Sequence, residues 1–104
     1  MDDLKPRINA LTLQHKKLSD SITGFKLTLD PNVIFRKASD LTTDFLKHDD
    51  LKDNIHVQTQ VRDRFTKEIQ TDILHRLAHT STELKQVDTQ LKELVTLYTR
   101  NLFL

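Results

Sequence analysis

The chain has no cysteine, no tryptophan, one glycine and two prolines. Without cysteine there is no disulfide framework, no thiolate-held zinc or iron–sulfur cluster, and no thiol nucleophile. A single glycine is too few for a phosphate-cradling loop or a dinucleotide fingerprint. It also argues against an all-β fold, whose tight hairpins use Gly, Asn-Gly or Pro. Long apolar runs are missing too. Val33-Ile34-Phe35 and Leu102-Phe103-Leu104 are the longest, against the ~20 residues of a membrane-spanning helix. Nor is there an excess of one charge: 16 Lys and Arg face 15 Asp and Glu, a net +1. Domains that bind nucleic acid usually carry a basic stripe. The nearest approach, Arg62, Arg64 and Lys67, is interrupted by Asp63 and Glu68 and reads as a solvated helix face. Neither a nucleic-acid partner nor a membrane span within these residues is expected.

What is present is a helical pattern. The 104 residues suit one domain. Hydrophobic residues make up only 37%, but they fall in stripes. Leu4, Ile8, Leu11, His15, Leu18, Ile22, Phe25 and Leu29 repeat at spacings of four and three, a heptad seam. Asp2 or Asp3 can cap this helix, and Pro6 falls in its first turn. Gly24 weakens it by about 1 kcal/mol relative to Ala without ending it. Asp30-Pro31 ends it, because a residue before proline is pushed out of the helical region. The same pair suits the start of a second helix, with Asp30 as cap and Pro31 in the first position. Its apolar face is read as Ile34, Ala38, Leu41 and Phe45. A break is expected at His48-Asp49-Asp50. A third helix then carries Leu51, Ile55, Val61, Phe65, Ile69, Ile73 and Leu77. Thr80 and Glu83 have capping-box spacing, so a fourth helix is expected to restart there. The alternative is one unbroken helix from about 50 to 102.

The expected fold is therefore all-α: a three- or four-helix antiparallel bundle with coiled-coil-like heptad seams. It forms a single domain over 1–104, with helices at about 3–29, 31–47, 50–78 and 81–102. The uneven helix lengths leave room for an elongated form or for completion by a partner chain. Thirteen threonines, and acids that are aspartate in twelve of fifteen cases, give modest helix propensity. Such helices depend on packing for their stability.

Few residues suggest chemistry. His75-x-x-x-His79 places two imidazoles on one helix face, with Asp72 one turn earlier, which is metal-ligand spacing. Surface side chains on a helix are the plainer reading, and no metal or other cofactor is expected. His15 interrupts the first seam. It reads as a polar layer that fixes register, or as a pH switch. No serine, carboxylate or lysine stands in a catalytic pattern, so no enzyme is expected. The seams favour a helical protein–protein interaction module, a subunit or fragment of a scaffolding, tethering or fusion-regulatory assembly. Its interaction seam would be Leu84, Val87, Leu91, Leu94 and Tyr98, with Leu4, Ile8 and Leu11. Its partners would be helices of the same or another chain. The alternatives are a small metal-binding protein using the histidine pair and a nucleic-acid-associated regulator. The acidic and polar start shows no secretory signal, which makes a cytoplasmic, intracellular setting the expectation. The apolar ending Leu102-Phe103-Leu104 is read as a cut within a longer helix.

Overall fold

The computed structural model describes residues 3–103. Within them lie three helices and no strand: α1 Leu4–Thr28, α2 Pro31–Leu46 and α3 Ile55–Leu102. Asp3 stands immediately before α1; the other proposed cap, Asp2, lies outside the described residues, as does Leu104. Helix α1 continues through Gly24.

The Asp30-Pro31 boundary works as its chemistry requires. Asp30 is extended, with φ −55 and ψ 127, and its carboxylate accepts a hydrogen bond from the Asn32 amide at 2.8 Å. Pro31 occupies a position where the absent N–H leaves no helical bond unmade.

The start of α3 differs from expectation. Helix does not begin at 50, because Asp49 is used in a turn: its carboxylate accepts from the Leu51 amide at 2.7 Å. Residues 47–54 hold turns and no helix. The cap is Asn54, whose side-chain oxygen accepts from the Val57 amide at 3.1 Å. Leu51 and Ile55 stand exposed. Helix α3 then runs for 48 residues, with no restart at Thr80. Nothing in 78–83 breaks a helix, and Glu83 pairs with His79 at 2.7 Å instead of capping.

The chain divides into two compact units. The first joins the part of α1 up to Gly24 with the part of α3 from Leu77 onward. These segments run antiparallel: Arg7, Ala10 and Leu11 share a groove with Gln90, Glu93 and Leu94, while His15 meets Asp88. The second unit, Phe25–Arg76, holds α2 and the first part of α3. Here α2 turns back through 47–54 onto α3, and Phe45 meets Phe65 edge-to-face at 5.8 Å.

Burial follows two spacings. In the first unit the covered positions of α1 are 4, 8, 11, 15, 18 and 22. Those of α3 include 77, 80, 84, 87, 91, 94, 98 and 101. Both stripes alternate steps of three and four. In the second unit the buried residues of α2 are Ile34, Ala38, Thr42 and Leu46, and Val61, Phe65, Ile69 and Ile73 are covered on α3. Both step by four. The expected inner face of α2 is thus corrected: Leu41 and Phe45 are 40% and 66% exposed, while Thr42 and Leu46 point inward. A threonine is tolerated there because its hydroxyl donates to the Ala38 carbonyl at 2.7 Å. Seven other threonine hydroxyls donate one turn back in the same way, so a residue with modest propensity carries its own polar partner.

Candidate functional site

The residues proposed as an interaction seam come together in the first unit. Leu4 and Val87 are buried. Ile8, Leu11, Leu84, Leu91, Leu94 and Tyr98 are half-buried. They are covered within the chain, because α1 and α3 each present a stripe that the other can shield. The shielding is partial, since a pair of helices has only one shared side. Val95 and Leu97 remain 43% exposed beside the stripe, and Phe103 is 85% exposed.

His15 sits on this seam, half-buried, with Nε2 3.7 Å from Asp88 Oδ1. That separation is too long for a good hydrogen bond. Asp88 is held more closely by Lys92, one turn further along, at 2.9 Å. The hydrogen bond from Lys92 keeps the Asp88 carboxyl below the ordinary carboxylate value. The charges of Lys92 and His15 act in the same direction, and partial desolvation opposes them.

The possible metal ligands are not gathered. Asp72, His75 and His79 are all exposed on α3. Asp72 pairs with Arg76 at 3.1 Å and His79 with Glu83 at 2.7 Å. Among the described residues no group of three or more His, Cys, Asp or Glu could hold a metal ion. No helix of the described residues is long and apolar enough to cross a membrane.

The second unit contains a feature that sequence reasoning passed over. Arg62 is not a solvated member of a basic stretch. It is half-buried, and its guanidinium carbon lies 4.9 Å above the centre of the Phe35 ring. Arg64, by contrast, pairs with Glu68 at the surface. The spacing that sets Arg62 one turn from covered Phe65 and Thr66 on α3 was a usable signal. Nearby, the Ser39 hydroxyl oxygen is buried with no protein group in hydrogen-bonding reach, an unusual condition for a native polar atom.

Compared with protein-family models, with curated proteins and with solved structures, the chain matches none.

Proposed function

We propose that this chain is a non-enzymatic helical interaction module that works as a subunit or segment of a scaffolding, tethering or fusion-regulatory assembly. Its heptad-spaced stripes on α1 and α3 pack as a coiled-coil-like seam, and a partner helix, from a second copy or another chain, completes the cover. One observation carries this reading. The described residues bury only Leu4, Ile34, Ala38, Leu46, Ile73 and Val87 as core, and leave Phe35, Phe45, Leu74, Val95 and Leu97 among the large apolar side chains exposed. Scattered exposed apolar residues are ordinary, but a small core beside so many of them fits a chain that finishes its burial against a partner. Each further 100 Å² of apolar surface covered would contribute about 2.5 kcal/mol before association costs.

Light scattering and circular dichroism on the chain and on Leu91→Asp test the reading. An assembled wild type and a helical, monomeric variant support it. A wild type that is monomeric at all concentrations, with a variant that simply unfolds, makes the seam an internal core and sinks the proposal.

A further inference from the structure

A cavity of about 460 Å³ opens in the second unit between α2, the 47–54 turns and the start of α3. Three cationic side chains line it, Lys47, Lys52 and Arg62, against a single carboxylate, Asp53. None of the three cations pairs with a carboxylate among the described residues. Unpaired cations on open helix surface are common. Here one of them, Arg62, is half-buried, with its guanidinium carbon over the Phe35 ring, 4.9 Å from the centroid. A cation over an aromatic face still has N–H donors to offer, and a guanidinium is a planar fork of donors matched to two oxygens of one oxyanion.

The hydrogen-bonding inventory of the cavity points the same way. Thr42 and Thr43 already spend their hydroxyl protons on the Ala38 and Ser39 carbonyls. Ser39 also lines the cavity, but its hydroxyl oxygen is itself buried. The acceptors on the lining, the Asp53 carboxylate and the Gln58 side-chain oxygen, are outweighed by the cationic donors of Lys47, Lys52 and Arg62, so the ligand the cavity fits is an acceptor with negative charge. Three cations against Asp53 leave two positive charges in excess. A phosphate monoester, with about −1.5 to −2 charges near neutral pH, balances that excess better than a single carboxylate does. Leu46 gives the organic part of the ester an apolar wall.

We infer that this cavity binds a phosphate monoester. Arg62 makes the paired contact, and Lys47 and Lys52 close over the group as point charges. The site shares no residue with the α1–α3 seam, so its failure and the failure of the interaction reading are separable.

The test is an NMR amide titration of the whole chain with phenyl phosphate and, separately, with inorganic phosphate, at constant ionic strength. Saturable shifts centred on Ser39, Arg62 and residues 47–54 are expected, with phenyl phosphate binding more tightly. Arg62→Gln is expected to weaken binding about tenfold or more, as loss of a charged hydrogen bond does. If that variant loses helicity, Lys47→Ala and Lys52→Ala, both at exposed positions, carry the comparison and are each expected to weaken binding. Shifts spread over lysines throughout the chain without saturation overturn the site. So does unchanged binding in all three variants. Inorganic phosphate binding as tightly as phenyl phosphate overturns the ester.

Discussion

His15 and Asp88 face each other from α1 and α3 at a distance that makes neither essential to the other. Replacing His15 with leucine fills the seam between Leu11 and Leu18 with an apolar side chain. His15→Leu should therefore stabilise the chain by roughly 1 kcal/mol, since a polar residue in a heptad seam costs stability. Thermal unfolding at about pH 5.5 and 7.5 checks both this and the switch reading. A gain of the same size at both values sinks the switch. Asp88 answers to acid instead. Its carboxyl is held down first by the Lys92 hydrogen bond. A group whose pKa is lower folded than unfolded stabilises the fold above the unfolded value, and the contribution is lost as pH falls through the folded one. The ordinary value is 3.8, so the loss belongs below it. Asp88→Asn should leave neutral-pH melting nearly unchanged, because the pair is exposed, and should flatten the acid limb beneath pH 3.8. An acid limb as steep as that of the wild type would refute this.

Among the elements, α1 and α2 were the most legible, and the reason is chemical. Asp30-Pro31 carries a stop and a start in two residues, and no competing signal stands near it. The start of α3 was obscured by competition. Asp49, Asp50, Asp53 and Asn54 can all cap a helix, and sequence alone does not say that Asp49 is spent on the Leu51 amide. Thr80 and Glu83 misled in the opposite sense. The capping-box spacing is real, but it acts only where a helix has already stopped. The covered stripe on α1 could be read from spacing; the inner face of α2 could not, because Leu41 and Phe45 are more apolar than Thr42. Burial of Thr42 depends on its hydroxyl being satisfied at home. The cavity at Arg62 was not legible at all, since it needs α2, the turns and α3 together. Within α1, Gly24 has helical backbone with no positive φ, and nothing lies within 4 Å of an added Cβ. Gly24→Ala should raise stability by about 0.5–1 kcal/mol, through lost freedom of the unfolded chain and better helix propensity. A melting temperature that stays level or drops would show that this position is not an ordinary helix interior.

At the scale of the whole molecule, α3 is the element that both compact units share, and the spacing of its covered residues changes at Leu77. Before that point the stripe steps by four, as α2 does; after it the stripe alternates steps of three and four, as α1 does. Each unit has its own buried apolar side chains: Ile34, Ala38, Leu46 and Ile73 in one, Leu4 and Val87 in the other. Buried side chains divided between two units along one continuous helix are expected to make local stability unequal along it. Ile34 is 2% exposed, so Ile34→Ala should cost about 2–4 kcal/mol in the unit that loses the side chain. Hydrogen exchange followed along α3 locates that cost. Protection should fall most over α2 and residues 55–76, and less over 77–102. A uniform fall along the whole of α3 would mean that the two cores open as one, and that the change of spacing at Leu77 marks no boundary in stability.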